Sequence, residues 1–195
     1  MIGSLRGRIS SKTPPQLTVE VAGVGYELEA PMSTFFHLPG IGQEVSLLTH
    51  LVVREDAHVL YGFATQNERR LFRNLLKVSG IGPKIALALL SGISVEAFAQ
   101  CILNKDVDAL VRVPGIGRKT AERLFVEMRD RIGPLEGVPG LASSAETSPE
   151  GEALSALIGL GYKPAEAARL LKVVGPGTQS TEELIRRALQ GAARE

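Results

Sequence analysis

The stretch Leu110–Leu124, LVRVPGIGRKTAERL, decides the fold of this chain, because a similar stretch, LKVSGIGPKIALALL, stands at Leu76–Leu90. With an offset of 35 residues the two share seven identical positions: Val78/Val113, Gly80/Gly115, Ile81/Ile116, Gly82/Gly117, Lys84/Lys119, Ala86/Ala121 and Leu89/Leu124. The pattern is an internal duplication of a helix–turn–helix unit. Two copies are too few for a solenoid.

Each glycine turn has the composition of an anion site. We expect Gly80 to end the first helix in the left-handed conformation, and the next residue, an isoleucine, to be buried. Gly82 lacks a side chain, so a ligand can approach the backbone. Pro83 suits the first position of the following helix, whose free N–H groups and dipole favour an anion. Lys84 and Lys119 add full positive charge, which indicates a backbone phosphate bound without sequence readout.

Three other interpretations compete for these turns. A plain helical hairpin would explain one copy, but two copies with the same Gly-x-Gly-x-Lys argue against it. A nucleotide-binding P-loop needs glycine directly before Lys-Ser/Thr, and here Pro83 and Arg118 intervene. A dinucleotide fingerprint needs a third glycine and a preceding strand, and neither is predicted.

The repeated pattern resembles the tandem helix-hairpin-helix motif of DNA-binding proteins. In such proteins two hairpins form a pseudo-symmetric pair that grips phosphates on both strands across the minor groove. The resemblance implies eight DNA-binding residues in this chain: Gly80, Gly82, Lys84, Gly115, Gly117, Arg118, Lys119 and Arg123.

Charge is distributed in agreement with this interpretation. The 195 residues carry a net charge of +1, but residues 1–63 carry −2, residues 64–135 carry +5 and residues 136–195 carry −2. The positive potential therefore coincides with the repeat, as a polyanion-binding surface requires.

Composition excludes several classes of protein. Cys101 is the only cysteine, so an intramolecular disulfide and a cysteine-based zinc site are both excluded. His37, His50 and His58 have no metal-ligand spacing, and we expect no metal or cofactor. No apolar run reaches the roughly 18 residues of a membrane helix, and the N-terminus lacks a signal-peptide core, so we expect no membrane association and a cytoplasmic location.

The periodicity predicts a multi-domain α+β protein. Residues 1–63 contain five short strands, typical of an OB-fold β-barrel, and residues 64–135 are helical throughout. Residues 136–149 are rich in Gly, Pro and Ser and read as a flexible linker, and residues 150–195 form three amphipathic helices. The predicted strands are Ile2–Arg8, Leu17–Val21, Val24–Ala30, Val45–Val53 and Ala57–Phe63.

The barrel aromatics admit two interpretations. One is a base-stacking platform, as in single-strand binders, and the other is packed core. The core interpretation is favoured, because the barrel segment has few cations to hold a nucleic-acid backbone. The residues concerned are Tyr26, Phe35, Phe36, Tyr61 and Phe63.

A second stretch, His50–Phe63, has two apolar strands that meet at Arg54-Glu55-Asp56. Acidic residues are common at solvated hairpin tips. In a DNA-binding protein the pair is unexpected, because two carboxylates near phosphate repel it by about 1 kcal/mol or more at low salt.

The acidic stretch VVREDAHVLYGF, the tandem hairpins and the ending LGYKPAEA, in this order, resemble the RuvA family of Holliday-junction-binding proteins. The resemblance implies a homotetramer, one or two facing copies of which hold a four-way junction open and square, with Glu55 and Asp56 as an acidic pin at the crossover. It implies that residues 150–195 bind the hexameric RuvB motor ATPase, with the RuvC resolvase in the same complex. Recombination, DNA repair and the SOS response to DNA damage are the implied settings, with no catalytic site in this chain.

Two rival functions stay open at this point. GIGRKTA also resembles the hairpin of base-excision DNA glycosylases, in which a lysine near the motif and a downstream aspartate act, here Lys119 and Asp130. A general duplex-binding or nuclease-scaffolding module is the other rival. Such a module gains nothing from Glu55 and Asp56. The acidic tip therefore discriminates between a general duplex-binding module and a junction-binding protein.

Overall fold

The structure is a computed structural model that describes residues 1–132, 148–174 and 180–192. The chain divides into two compact units, Met1–Leu141 and Ala142–Glu195, and each is described by itself.

The N-terminal unit begins with a closed five-stranded barrel, as the sequence predicts. Its strands lie in the order β1-β2-β3-β5-β4, and every neighbouring pair is antiparallel except β3 and β5. The strands are β1 Ser4–Thr13, β2 Gln16–Val21, β3 Val24–Glu29, β4 Glu44–Val53 and β5 His58–Phe63.

Strand β1 runs five residues beyond its predicted end at Arg8. The added segment, ISSKT, is mostly polar and shows no strand signal of its own. It pairs with β2, where Lys12 lies opposite Leu17, so tertiary pairing overrides the local pattern. Ala22 and Gly23 both have positive φ, 49° and 84°, which is the turn that joins β2 to β3.

In the described residues up to 132, six helices follow or interrupt the barrel: α1 Met32–Phe35, α2 Gln66–Leu75, α3 Pro83–Gly92, α4 Val95–Asn104, α5 Val107–Val111 and α6 Arg118–Ile132. Helix α4 is capped by Ser94, whose hydroxyl accepts a hydrogen bond from the Ala97 N–H at 3.1 Å. Helix α2 begins with a capping box formed by Thr65 and Glu68.

The barrel and the helices share a continuous core. The ring centroid of Phe72 in α2 lies 4.9 Å from that of Tyr61 and 5.0 Å from that of Phe63, both on β5. We call these three residues the aromatic cluster. The hydrophobic core that contains it extends through α3, α4 and α5 to Met128 in α6. The chain therefore changes from strands to helices after residue 63, while one hydrophobic core continues across that boundary.

A buried carboxylate adds a polar link between the same elements. Glu68 is 6% exposed, and its oxygens accept hydrogen bonds from the hydroxyls of Ser33 and Thr34 near α1 and from the backbone N–H groups of Ala64 and Thr65. A carboxylate with this many donors is satisfied without a cation.

The barrel aromatics are largely core, as favoured from the sequence. Phe35, Tyr61 and Phe63 are each at most 4% exposed, and Tyr26 packs against the barrel core. The expectation is wrong for Phe36, which is 76% exposed because α1 ends at Phe35 and turns its next residue outward.

The C-terminal unit contains three helices in its described part, α7 Pro149–Gly159, α8 Pro164–Val174 and α9 Thr181–Ala192. Six large apolar residues of this unit are buried or pack against its core: Leu154, Leu157, Tyr162, Leu170, Leu171 and Leu184. Of the predicted linker 136–149, residues 136–147 lie outside the described residues.

No single helix in the described ranges is long and apolar enough to cross a membrane. Only the pair Pro83–Gly92 and Val95–Asn104, bent by 97°, passes that test when the two helices are combined.

Candidate nucleic-acid interface

The two glycine turns have the same backbone geometry. Gly80 and Gly115 both have φ of 88°, in the region that favours glycine. In the first turn the Ile81 N–H donates to the Val78 carbonyl oxygen at 3.1 Å, and in the second the Ile116 N–H donates to the Val113 oxygen at 3.0 Å. The repeat in the sequence is therefore a repeat of structure.

The left-handed glycine stands farther from the preceding helix than expected. Helix α2 ends at Leu75 with Leu76 as its C-cap, so Gly80 lies four residues beyond the cap. Turn hydrogen bonds fill the interval, since the Lys77 N–H donates to the Asn74 oxygen and the Val78 N–H to the Leu75 oxygen. The expectation that Gly80 ends the helix directly is wrong, while its left-handed conformation is confirmed.

The start of α3 is open to a ligand. Gly82 is the N-cap with φ −94° and ψ 174°, and Pro83 occupies the first turn, as predicted. None of the described side chains caps this helix, so its first N–H groups are available. A Cβ atom placed on Gly82 or on Gly117 would meet nothing within 4 Å among the described residues. The space beside both turns is therefore free for a phosphate group.

The predicted isoleucines anchor the turns. Ile81 is 5% exposed and Ile116 is 4% exposed, and both belong to the core that contains the aromatic cluster. The helix starts are held alike, because the Ala86 N–H donates to the Gly82 oxygen at 3.0 Å and the Ala121 N–H to the Gly117 oxygen at 2.9 Å.

The predicted cations lie on the surface at the helix starts. Lys84 and Lys119 are exposed near the beginnings of α3 and α6. Arg118 is the first residue of α6, and its Nε lies 3.8 Å from a carboxylate oxygen of Glu122 one turn later. Such an exposed pair contributes little and does not compete strongly with phosphate.

Arg123 connects the two hairpins. Its Nη1 donates to the Ser79 carbonyl oxygen at 3.0 Å, just before Gly80. In the opposite direction, a Cβ atom on Gly115 would lie 3.4 Å from the Ile85 side chain of α3. The hairpins are thus in contact at both turns. DNA contact by Arg123 and by the seven other predicted residues stays a prediction.

The acidic tip is close to the first hairpin. Glu55 and Asp56 are exposed between β4 and β5, in a turn closed by the Arg54 N–H and the Ala57 carbonyl oxygen at 2.9 Å. Asp56 and Arg54 line a cavity of 380 Å³ that Gly82, Pro83 and Lys84 also line. The structure therefore brings together two features that are far apart in the sequence, Asp56 of the acidic tip and the first glycine turn.

Sequence reasoning missed three cations near these features. Arg54 lies on the tip-side wall of the cavity, and its position next to Glu55 was the available signal. Lys77 and Arg112 are exposed and correspond under the 35-residue offset, although they are not identical. A comparison of the two repeats by charge as well as by identity would have found them.

Two titratable groups beside the interface have shifted pKa values. Burial, with Arg73 and Arg69 in second place, lowers the pKa of His50, whose Nδ1 accepts a hydrogen bond from Arg73 Nε at 3.2 Å. Burial and then the Glu29 carboxylate raise the pKa of Tyr61, against an opposing effect of Arg54.

The described residues contain no group of three or more His, Cys, Asp or Glu side chains that could hold a metal ion. The side chain of Asp130, the aspartate of the glycosylase interpretation, lies outside the described residues.

Comparison with known proteins covers nearly the whole chain. Three family models match: "RuvA N terminal domain" at residues 1–62, "SAM-like Helix-hairpin-helix tandem" at residues 72–130 and "RuvA, C-terminal domain" at residues 148–193.

Three curated relatives have the name "Holliday junction branch migration complex subunit RuvA". The protein of Thioalkalivibrio sulfidiphilus is 56% identical and aligns with 97% of this chain and 98% of its own length. That of Coxiella burnetii is 55% identical, with 97% of each chain aligned, and that of Stutzerimonas stutzeri is 50% identical, with 98% and 99% aligned. On the barrel, the paired hairpins, the C-terminal helices and this identity over almost its full length, the chain belongs to the RuvA family.

Proposed function

We propose that the protein binds four-way DNA junctions, holds them open and square, and recruits a hexameric RuvB-type ATPase motor for branch migration in recombination and repair. The observation that carries the proposal is the cavity that Asp56 and Lys84 share, which brings the acidic tip beside the first glycine turn. The names of the relatives, which describe a subunit of a branch migration complex, support it.

The paired turns would hold the DNA arms. Two turns of equal geometry, each with a lysine near an accessible helix start, suit two backbone phosphates about a pseudo-two-fold axis. Contacts of this kind have no sequence readout, so recognition would depend on the shape of the DNA. Affinity would fall steeply with salt, because each neutralised phosphate releases counterions.

The acidic tip would set the preference for a junction. In a homotetramer with four-fold symmetry, four tips meet at the centre and four arms leave it, which matches protein symmetry to DNA symmetry. Carboxylates of Glu55 and Asp56 at the centre repel the phosphates of a duplex that runs straight across. A junction offers an open centre, so it escapes this repulsion. One tetramer or two facing tetramers would clasp it.

The chain itself would be non-catalytic. ATP hydrolysis would belong to the motor, bound by residues 150–195, and a RuvC-type resolvase would act in the same cytoplasmic complex. The glycosylase alternative makes a different prediction. Base release or nicking of damaged duplex, lost in Lys119→Ala, would replace the junction-binding proposal.

The deciding experiment is a gel-shift competition at physiological salt between a four-way junction and a linear duplex with the same number of phosphates. We expect strong preference for the junction. Equal affinity for both would contradict the proposal and favour a general duplex-binding module. Lys84→Ala with Lys119→Ala should flatten the dependence of log affinity on log salt by about 0.9 for each phosphate that the variant no longer neutralises.

A further inference from the structure

The cavity between the acidic tip and the first glycine turn has a chemistry that phosphate binding does not use. Its volume of 380 Å³ falls within the roughly 300–1,000 Å³ of small-ligand sites. Much of its wall is apolar, formed by Val52 and Val59 of the barrel and by Pro83 and Ile85 of α3. A solvated phosphate gains nothing from such a wall, whereas a flat heterocycle does.

One polar group on the wall lacks a hydrogen-bond partner among the described residues. Tyr61 is 4% exposed and lines the cavity, and its ring is held against Phe72. In the described part of the chain, no group forms a hydrogen bond with its hydroxyl. Glu29 lies opposite Tyr61 in the β3–β5 pairing, and Glu29 and Arg54 line the same cavity as Tyr61. The residue as a whole is buried, but its hydroxyl oxygen keeps some solvent exposure, so it can hydrogen-bond with a ligand in the cavity.

We propose that the cavity takes one unpaired nucleobase, from the DNA strand whose phosphate lies at Gly82 and Lys84. This inference rests on the proposed function, since it requires the strand to cross the first hairpin near the acidic tip. Gly82 and Lys84 line the cavity themselves, so a nucleotide held there by its phosphate has its base within reach of the apolar wall. Bases at a migrating crossover exchange partners, and extraction from the stack costs least for a base that is already unpaired.

The polar groups predict which bases fit. The Glu29 carboxylate accepts hydrogen bonds only, so it suits an exocyclic amino group. The Tyr61 hydroxyl can donate to a ring nitrogen or a carbonyl. Adenine, cytosine and guanine carry an amino group and thymine does not. At Glu29 we therefore expect a base with an amino group, whereas Arg54 and Lys84, which line the same cavity, offer donors to the carbonyl oxygens of a base.

The test uses the full chain and a synthetic junction with 2-aminopurine in place of an adenine next to the crossover. The same label in the middle of an arm is the DNA control. On binding, we expect fluorescence of the crossover label to rise as the base leaves the stack. We also expect acrylamide to quench the bound base less than the unpaired base in a free single strand, because the cavity shields it.

Two variants separate capture in the cavity from simple unpairing. Tyr61→Phe and Glu29→Ala each remove one hydrogen-bonding partner and should lower the equilibrium constant for capture of the base about five-fold, the factor that corresponds to one hydrogen bond. Acrylamide should therefore quench the bound label more strongly in each variant. Junction affinity should stay within about two-fold, because phosphate contacts dominate it. Tyr26→Phe is the matched control, since Tyr26 is a barrel tyrosine that is not on the cavity wall.

The outcomes distinguish the two proposals. Suppose that the junction still binds preferentially. The cavity inference alone is then overturned if the fluorescence of the crossover label stays low, or if it rises but acrylamide quenches it as strongly as in a free single strand. Protection that persists in both variants also overturns it. Loss of junction preference by the wild-type protein in the same titration instead overturns the proposed function.

Discussion

Arg123 in α6 donates a hydrogen bond from Nη1 to the Ser79 carbonyl oxygen at 3.0 Å, which ties the second hairpin to the turn of the first. The spacing between the two turns thus depends on a side chain that the motif alone assigns to DNA. A guanidinium that bonds one carbonyl keeps other N–H donors free, so both roles are compatible.

Arg123→Ala should lower both stability and junction affinity. The free energy of unfolding should fall by about 1 kcal/mol, the typical net value of one hydrogen bond, as measured by chemical denaturation. Arg129→Ala, the same change at an exposed position of the same helix, is the control and should change neither strongly. Unchanged stability in Arg123→Ala would contradict the bracing role.

The glycines of one turn should separate folding from binding. Gly80→Ala places a side chain at φ 88° and should cost about 1–2 kcal/mol of stability. Gly82→Ala has φ −94° and open space, so it should cost less than about 1 kcal/mol. Its methyl group nevertheless stands where the backbone of DNA would approach. We expect Gly82→Ala to weaken junction binding at near-normal thermal stability, and normal binding by this variant would remove Gly82 from the interface.

Neutralising the acidic tip should reduce selectivity. Glu55→Gln with Asp56→Asn removes the repulsion of a duplex at the centre, which amounts to about 1 kcal/mol or more at low salt. Duplex affinity should rise and the preference for junctions should narrow in competition gel shifts. Glu20→Gln with Glu27→Gln alters the net charge equally at exposed barrel positions and serves as the control. Unchanged affinities for both DNAs in the tip variant would contradict the pin.

Stability should decrease in mild acid because of His50. Its folded-state pKa is depressed by burial and by Arg73 and Arg69, so below the ordinary value of 6.5 the unfolded chain binds the proton more readily. The stabilisation is fully present above that value and is lost as the pH falls through it. We expect the midpoint of urea unfolding to drop between about pH 7 and pH 5.5, and less so in His50→Asn. A drop of equal size in that variant would assign the effect to other groups.

Deleting residues from Gly137 onward should preserve junction binding and abolish motor recruitment. In the described part of the N-terminal unit, the hydrophobic core contains no residue beyond Met128, so the truncated chain keeps that core intact. Gel shifts measure the first property, and co-sedimentation with the motor on junction DNA measures the second. Loss of junction binding would show that the C-terminal unit takes part in DNA recognition.

The sequence predicted the elements well wherever periodicity was local. The five strands, the starts of α3 and α4 and the duplicated turns follow from alternation, capping residues and glycine or proline positions. The prediction failed in the second half of β1, where pairing with β2 and not the local sequence forms the strand. It also failed at Phe36, whose exposure depends on its place directly after the end of α1.

Most of the candidate site was also visible in the sequence, although its assembly was not. The repeat exposes the glycines and lysines, because identity at a fixed offset needs no structure. Closeness of Asp56 to Lys84 depends on how β5 packs against α2 and α3, which no local pattern records. The bond from Arg123 to Ser79 joins residues 44 positions apart and was missed for the same reason.

The aromatic cluster has a mechanical consequence. Phe72 packs against Tyr61 and Phe63. Strand β5, which leads from the acidic tip, and helix α2, which leads to the first turn, are therefore packed together. Moving β5 away from α2 would separate these packed rings. If the function proposed above holds and a motor draws DNA across this region, we expect the strain to develop in the DNA at the crossover while the packed region keeps its shape.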